Sequence, residues 1–495
     1  MTVTDRDGRS LRVRASCNGA CVGWLLLVFG CTVDDDIVAR RVQATMTGGN
    51  GSGGVMAAGA GADSGGAGAD SGGTGAGSGG AGAGSGGTGV EDCPAPPIVS
   101  AVQGGGLVCS GWAARRSFSQ ALCTCGNVSV PDVITSAASD SSLHDERDPR
   151  GSAAVSIGGD TSDSDYLRVE GTLTVAGEST VRSSGGFDVE GDLRLMGPAP
   201  AAGPIFVGRD AWLLGETHSL SLAYVERDLY LGPNASLTSL GAVLVLGQVV
   251  EQPFTLAPPC PCSPDDLLDV PGIVQQGMVE NDNARVGLAF DALDASGTTQ
   301  ALTLDCGRYA LSRVEPGRAV SLRITGRVAL FVDSAVTLDS NFVLELAPGA
   351  ELDWFIRGPL SIAPGARLGD SSRAGALRMY TTEAGPVSLP GTEDLAVNLY
   401  APRMDASVEG SGDVYGSLFV ATVTVADSLF LHYDRAVAYA DADCALPPPT
   451  VCTACDQCSS GQACVAGSCG ACSNDGDCCF PLVCDQARCL PLAAD

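Results

Sequence analysis

The sequence predicts an all-β protein whose main body is a right-handed parallel β-helix-like solenoid. Between residues 150 and 440, short runs of Val, Leu, Ile and Phe alternate with polar residues and are separated by Gly, Asp, Asn and Pro. Strands with one buried face produce this pattern. One short motif also returns along the first part of this region, as stacked solenoid turns require.

The repeated motif begins with valine and recurs at a nearly constant interval. Its copies start at Val169, Val189, Val207, Val225 and Val245, which gives spacings of 20, 18, 18 and 20 residues. Turns of this length would stack Val and Leu side chains at about 4.8 Å, so roughly a dozen turns would form a rod of about 60 Å. An array of β-sandwiches is the alternative, but sandwiches seldom repeat one motif in register.

Residues 1–30 are predicted to be a lipoprotein signal peptide. A start that contains four arginines precedes an apolar run over residues 20–29, which is too short to span a bilayer. The run ends in Val28-Phe29-Gly30-Cys31 and resembles the lipobox of bacterial lipoproteins. The resemblance implies that Cys31 is lipidated and anchors the chain to a membrane. Thr32, where aspartate would signal inner-membrane retention, favours the outer membrane. An ordinary cleaved signal peptide is the alternative.

Four further segments follow from composition. Residues 31–92 are predicted to be a flexible tether, because 48–89 consist almost wholly of Gly, Ala, Ser, Thr and Asp and cannot offset their ordering entropy. This disordered Gly-rich linker would reach roughly 35 Å. Residues 93–150 form a cysteine-containing cap segment, 151–444 form the solenoid body, and 445–495 form a small disulfide-rich C-terminal module.

The 21 cysteines indicate an oxidising compartment. Three lie in the leader region, and the remaining even number permits complete pairing, with a connectivity that the sequence does not define. Zinc binding and redox activity are the alternatives; the module lacks the histidines that usually accompany zinc, so we predict structural disulfides and no metal. The predicted disulfide residues are Cys93, Cys109, Cys123, Cys125, Cys260, Cys262, Cys306, Cys444, Cys452, Cys455, Cys458, Cys464, Cys469, Cys472, Cys478, Cys479, Cys484 and Cys489.

The end of the predicted body carries a family resemblance. The stretch Asn398-Leu-Tyr-Ala-Pro-Arg-Met, residues 408–420, and Phe430-Leu-His-Tyr-Asp434 resemble the close of a bacterial surface domain of unknown function. That domain occurs in lipoproteins and in PilX-like pilus-associated proteins, and its stacked short strands are similar to those of bactofilins. The second half of the cysteine-rich module resembles Dickkopf-like and knottin-like modules. These resemblances imply a surface location and no known reaction.

The charged and catalytic residue types exclude several functions. A net charge of −29 repels phosphate backbones, so we expect no nucleic-acid partner. The three histidines, His144, His218 and His432, fall in no nucleophile elbow, phosphate loop or zinc-protease motif. His432 belongs to the resembled closing stretch, where packing at the solenoid end explains it best. We predict no catalytic residue and no cofactor.

Two clusters of aspartates leave alternatives open. Asp333, Asp339 and Asp353 lie in strand regions, and a polysaccharide hydrolase or lyase would need two such carboxylates close together. Isolated turn residues explain them more simply. Asp160-x2-Asp163-x-Asp165 could chelate Ca²⁺ but lacks the complete calcium-loop pattern, so a solvated acidic turn is the preferred interpretation.

The sequence therefore predicts a non-enzymatic cell-surface lipoprotein with a structural or adhesive role. Extracellular polysaccharide or other surface proteins would be its partners, besides the membrane. A polysaccharide-active hydrolase or lyase on the same scaffold is one alternative. A binding module centred on the cysteine-rich tail is the other.

Overall fold

The fold comes from a computed structural model of the chain. It describes residues 2–4, 10–12, 98–101, 106–141, 153–164, 166–181, 185–201, 203–219, 221–297, 299–391, 395–410, 412–440, 463–465, 468–470, 472, 478, 482–485 and 488–491. Cys31 and the predicted tether lie outside the described residues, as does the predicted signal peptide except for an antiparallel pair of strands, Thr2–Thr4 and Ser10–Arg12. Within these ranges, no helix is long and apolar enough to cross a membrane.

The body is a β-solenoid of about 13 turns, which confirms the predicted fold class. Its strands form three columns of parallel pairs, here called the first, second and third faces. The first face contains, in spatial order, Val249–Glu251, Leu229–Leu231, Ala211–Leu213, Leu193–Leu195, Leu173–Val175, Val155–Ile157, Leu122–Thr124, Leu418–Val425, Asn398–Gly410, Leu377–Thr381, Glu351–Ile356, Arg327–Val332 and Gly307–Leu311.

The other two faces follow the same order of turns. The second face contains Ser236–Ser239, Glu216–Ser219, Ala199–Ala201, Ser179–Val181, Thr161–Ser164, Val128–Ser129, the second halves of Leu418–Val425 and Asn398–Gly410, and Gly385–Gly391, with Leu360–Ile362 paired to Val336–Leu338. The third face contains Ala242–Val245, Leu222–Val225, Ile205–Val207, Phe187–Val189, Tyr166–Val169, Val133–Ser139, Leu429–Asp434 and Asp413–Tyr415, then, across single bridges, Arg367–Leu368, Phe342–Leu346, Val320–Ile324 and Ala301–Leu304.

The valine repeat corresponds to the pitch of the solenoid. The valines that begin the five copies of the motif are successive Cα partners on the third face, and the first four are buried. Glycine recurs at the corner that follows these valines, because the backbones of successive turns approach closely there. A Cβ on Gly191 would lie 2.6 Å from the carbonyl oxygen of Gly171, closer than any side chain tolerates.

The order of the turns along the axis differs from their order along the chain. Residues 122–251, here the N-terminal stack, wind from the middle of the solenoid to one end. Residues 301–434, the C-terminal stack, wind from the opposite end back to the middle. The two stacks meet where Leu418 pairs with Leu122 and Leu429 pairs with Ile134. The structure thus places residues 122–139, assigned above to the cap segment, within the solenoid.

Residues 252–300, here called the strap, return the chain from one end of the solenoid to the other. The strap contains the helices α1 (Val270–Val279) and α2 (Asn283–Val286). Helix α1 begins at Val270 because the Asp269 side chain accepts a hydrogen bond from the Gly272 amide and proline occupies the first turn. Helix α1 packs closely, since a Cβ on Gly277 would lie 2.2 Å from the Phe331 ring.

The strap covers the first face of the C-terminal stack. All positions from Val328 to Val332 and from Leu352 to Ile356 are buried, because one side of each strand faces the solenoid interior and the strap covers the other. The remaining elements are the helix Ser110–Ser117, the 3₁₀ helices Ser371–Ala376 and Arg435–Tyr439, and the antiparallel pairs Ile98–Ala101 with Gly106–Cys109, Ala463–Val465 with Ser468–Gly470, and Leu482–Asp485 with Arg488–Pro491.

Candidate functional site

Two parallel disulfides fasten the strap to the middle of the solenoid. Cys123 is bonded to Cys260 and Cys125 to Cys262, with Cα–Cα distances of 5.8 and 5.5 Å. Cys123 and Cys260 are almost fully buried. The two Cys-x-Cys motifs therefore bond to each other, and neither motif forms the internal dithiol pair that a redox centre of this kind would use.

A tyrosine adds a further attachment of the strap. The Tyr400 hydroxyl accepts a hydrogen bond from the Leu268 amide at 2.9 Å. Burial raises the pKa of Tyr400 to about 12, although this hydrogen bond lowers it. The Tyr400 hydroxyl is therefore neutral at ordinary pH and acts as a structural acceptor.

The cysteine-rich module contains one fully described disulfide, Cys472–Cys484, with a Cα–Cα distance of 5.7 Å. The sulfurs of Cys472, Cys478 and Cys484 lie within 4.8 Å of one another, but Cys478 is also disulfide-bonded, so these sulfurs offer no thiolate to a metal. Cys306 and Cys464 are disulfide-bonded as well. The side chains of the other predicted disulfide residues lie outside the described residues: Cys93, Cys109, Cys444, Cys452, Cys455, Cys458, Cys469, Cys479 and Cys489.

The closing strand His432-Tyr433-Asp434 holds the two stacks together. The Tyr433 hydroxyl donates to the Phe118 carbonyl at 2.7 Å, and burial raises the pKa of Tyr433. The Asp434 carboxylate accepts hydrogen bonds from the backbone amides of Gly375, Ser141 and Ala436 and from the Ser141 hydroxyl, at 2.6–3.1 Å.

The histidines do not converge on a common site. His432 stacks on Tyr415 with a centroid separation of 4.3 Å and lies 3.1 Å from an Asp413 oxygen. His218 contacts the Thr238 hydroxyl on the second face. His144 lies outside the described residues. The two described histidines are therefore engaged on different faces of the solenoid.

The three aspartates considered for polysaccharide chemistry occupy separate places. Asp333 pairs with Arg357 at 3.1 Å. The Asp339 carboxylate accepts the Asn341 amide hydrogen at 2.8 Å within one turn. Asp353 is 2% exposed and belongs to a buried ion cluster. The structure therefore brings no two of them together as a catalytic pair.

The buried ion cluster is centred on Arg378. Its guanidinium donates to both Asp353 oxygens at 2.6 and 3.1 Å and to Glu351 at 2.7 Å. Burial alone would lower the pKa of Arg378, but the Asp353 and Glu351 carboxylates outweigh it and hold that pKa well above its usual value. The Tyr380 hydroxyl also donates to Asp353, at 3.2 Å. This arrangement is a bidentate structural ion pair.

An acidic ladder runs along the corner between the third and first faces, and the sequence analysis missed it. The Asp192, Asp210 and Asp228 carboxylates each accept the backbone amide hydrogen of the next turn, at 3.4, 2.9 and 2.7 Å. The signal was present, because each aspartate stands three residues after a valine of the repeat. Burial raises the pKa of Asp192, although Arg194 lowers it.

The calcium alternative is tested only at its first residue. One Asp160 oxygen accepts the Glu178 amide hydrogen at 2.8 Å, as in the ladder at the neighbouring corner. The side chains of Asp163 and Asp165 lie outside the described residues. The observed contact of Asp160 is that of a turn residue that connects two stacked turns.

A small aromatic column lies on the outer side of the first face. Trp212 and Tyr230 stack with a centroid separation of 5.1 Å, and the Arg194 guanidinium lies 5.1 Å from the Trp212 centroid. Arg194, Trp212 and Tyr230 occupy successive turns, so both faces of the indole are covered. Trp212 therefore offers no open ring face on which a sugar could stack.

Comparison with known proteins assigns part of the chain to a described domain. Residues 271–439 match DUF7305, a domain of unknown function. The match covers helix α1 and the C-terminal stack, whereas the N-terminal stack lies outside it. Neither the comparison with curated proteins nor the comparison with solved structures gives a match.

Proposed function

We propose that this protein is a non-enzymatic, lipid-anchored surface protein whose solenoid serves as a rigid structural or adhesive element. The observation that supports this function is that Asp333, Asp339 and Asp353, the carboxylates considered for catalysis, are engaged in separate structural contacts. Extracellular polysaccharide and other surface proteins are the proposed partners.

The architecture supports a load-resisting role. Thirteen parallel strands follow one another on the first face, and two disulfides fasten the strap across the place where the stacks meet. Continuous ladders and crosslinks oppose local opening. A rigid body of this kind is better suited to presenting a surface to a partner than to closing a lid over a substrate.

The surface location is proposed from the sequence. The lipobox-like Val28–Cys31 supports an acylated Cys31 and export to the outer membrane. The closing stretch adds the resemblance to surface domains of lipoproteins and PilX-like proteins, and the stacked strands add the similarity to bactofilins. The Dickkopf-like or knottin-like tail would then be a small crosslinked module outside the cell.

Fractionation of cells that express the full chain tests the location. We expect the wild type in the outer-membrane fraction, with the mass of a chain that begins at an acylated Cys31. The Cys31→Ala variant should leave the membrane, and Cys17→Ala, which changes a cysteine of the signal peptide, should behave as the wild type. An unprocessed cytosolic wild-type chain would refute the proposed location.

A binding and turnover assay tests the role. Cells that display the chain should adhere to surfaces coated with polysaccharide or envelope protein, and polysaccharide incubated with the purified chain should release no reducing or unsaturated ends. Release of such ends would favour the hydrolase or lyase alternative. Loss of adhesion on deletion of residues 445–495 alone would favour the tail-centred binding module.

A further inference from the structure

The last turn of the N-terminal stack is open on one side. This end turn, residues 236–251, contains the strands Ser236–Ser239, Ala242–Val245 and Val249–Glu251. Each of these strands pairs with the turn before it, and no further strand within the described residues pairs with its other edge. The end turn therefore presents three edge strands at the tip of the solenoid.

The interior of the solenoid reaches the surface at this tip. Ala223, Val225 and Leu229 of the preceding turn are at most 2% exposed. Their register partners in the end turn are partly or well exposed, and Val249 reaches 43%. The corner residues Leu240 and Leu246 are 80% and 47% exposed. The apolar residues of the tip are Leu237, Leu240, Val243, Val245, Leu246 and Val249.

The end turn lacks the usual protection of an edge strand. Within the end turn, residues 236–250 include no charged residue and no proline, and the exposed Glu251 at the last position is its one charged residue, whereas the preceding turn carries Glu226, Arg227 and Asp228 at its corner. Natural sheet edges are normally protected by charge, proline, bulges or a covering segment. A predominantly apolar edge of this kind, with its single charge at one end, is a template for pairing with another chain.

At the opposite end of the solenoid, the strap covers the edge of the first-face strand Gly307–Leu311. The Arg308 amide donates to the Asp282 carboxylate at 2.8 Å, and the Arg308 carbonyl accepts from the Asp282 amide at 2.7 Å. The Asn283 side chain likewise contacts both the amide and the carbonyl of Ala310, at 2.9 and 2.7 Å. The strap thus satisfies the outer backbone groups of the edge strand Gly307–Leu311.

We propose that the end turn is a homodimer interface, in which two copies of the chain join tip to tip about a two-fold axis. A two-fold interface requires a patch that fits itself, and the uncharged stretch 236–250 does so in a chain whose net charge of −29 makes its other surfaces repel. At the opposite end the strap already occupies the edge of Gly307–Leu311, which blocks head-to-tail stacking on the first face, so we expect assembly to stop at two copies.

Geometry and area agree with this arrangement. A two-fold axis perpendicular to the solenoid reverses the winding direction, so the edge strands of the two copies meet antiparallel and can exchange backbone hydrogen bonds. A turn of about 18 residues at about 3.3 Å each, with its side chains, has a cross-section on the order of 600 Å². Two such tips bury roughly 1,200 Å², which lies at the lower limit of specific interfaces.

The mass of the protein in solution tests the proposed dimer. The dimer does not depend on the proposed lipid anchor or on a ligand. The full chain carrying Cys31→Ser, which removes any acyl group, should sediment with the mass of two chains at micromolar concentration. Adding both Leu240→Glu and Leu246→Glu should halve that mass, because four negative charges would then be added at the interface. Val279→Glu, at a residue 81% exposed on the strap, should leave the dimer intact.

Amide hydrogen exchange of residues 236–251 supplies a second measurement that does not depend on the variants. We expect protection in the dimer and fast exchange in the double glutamate variant. A monomer whose end turn exchanges fast would overturn the proposal. A monomer with a protected end turn would assign the tip to a segment of the same chain, and open-ended oligomers would contradict the two-fold axis.

Discussion

Leu122 and Leu418 are Cα partners in one parallel strand pair, although they belong to the first and last turns of the solenoid in chain order. Both side chains are fully buried. Since this pair lies where the N-terminal and C-terminal stacks meet, contacts around it make the two stacks one body. The stability of either stack therefore depends on the other.

Truncation of this pair should destabilise the whole solenoid. We expect Leu418→Ala and Leu122→Ala each to lower the free energy of unfolding by about 2–5 kcal/mol, because a cavity forms in a packed core. Because contacting residues couple, the double variant should lose less than the sum. Denaturant unfolding of the oxidised full chain measures this. Val279→Ala, at an exposed position, should change it by less than about 0.5 kcal/mol. Separate transitions for the two stacks in the wild type would contradict their dependence.

The losses of stability on removal of the two strap disulfides should be strongly non-additive. Both close loops with a sequence separation of 137, so either one alone imposes the same constraint on the unfolded chain. Removing both should cost about 5 kcal/mol, whereas removing either one alone should cost less than about 1 kcal/mol, since the other still closes the loop. Unfolding of Cys→Ala pair variants measures both costs. Single-pair costs that sum to the cost of the double variant would show that each disulfide acts independently.

The Arg378 cluster should tolerate joint replacement better than a broken pair. Arg378→Leu leaves Asp353 buried without its partner and should cost about 3–5 kcal/mol. Adding Asp353→Leu should recover part of that loss, because no unpaired buried charge remains near Tyr380. Thermal unfolding of the two variants tests this expectation. If the double variant is less stable than Arg378→Leu, the ion pair itself is not the source of the loss.

The contributions of two aspartates to stability should depend on pH in opposite directions. The pKa of Asp192 is raised by burial above its unfolded value of 3.8, so its contribution to stability is complete below that value and is lost as the pH rises through the folded pKa. Asp192→Asn should therefore raise the melting temperature at pH 7 but not at pH 3. The substitution keeps an acceptor for the Asp210 amide.

Asp294 serves as the matched contrast. Hydrogen bonds from the Ser296 side chain and amide hold the pKa of Asp294 below 3.8, so its contribution is present above that value and is lost as the pH falls through the folded pKa. Asp294→Asn should lower the melting temperature at pH 7, and the difference should shrink in acid. Equal signs for the two substitutions at pH 7 would contradict this assignment.

The local pattern of the N-terminal stack could be predicted because its repeat is nearly regular. Val189 and Val207 are spaced by one pitch and lie in register, so periodicity alone identifies inward-facing positions. The order of the turns could not be predicted in this way. A periodic pattern defines which turns are neighbours within one stack. It does not define which end of the N-terminal stack pairs with the strand that contains Leu418.

The C-terminal stack and its ion cluster were harder to predict for a related reason. The register there joins Arg327 to Glu351 and Asp353 to Arg378, over intervals longer than the valine repeat. Turns of variable length hide the periodicity. The pairing of Asp353 with Arg378 therefore depends on a register that becomes visible only in three dimensions, and the sequence presented Asp353 as an isolated acidic residue.

The permuted winding determines where the rest of the chain leaves the solenoid. The body begins at Leu122 and ends at Asp434, and both residues lie at mid-length, where the helix Ser110–Ser117 and the 3₁₀ helix Arg435–Tyr439 flank the stacks. Any segment that precedes Leu122 or follows Asp434 is therefore attached near the middle of the solenoid. Both tips of the solenoid thus lie about half its length away from the points where the chain enters and leaves it.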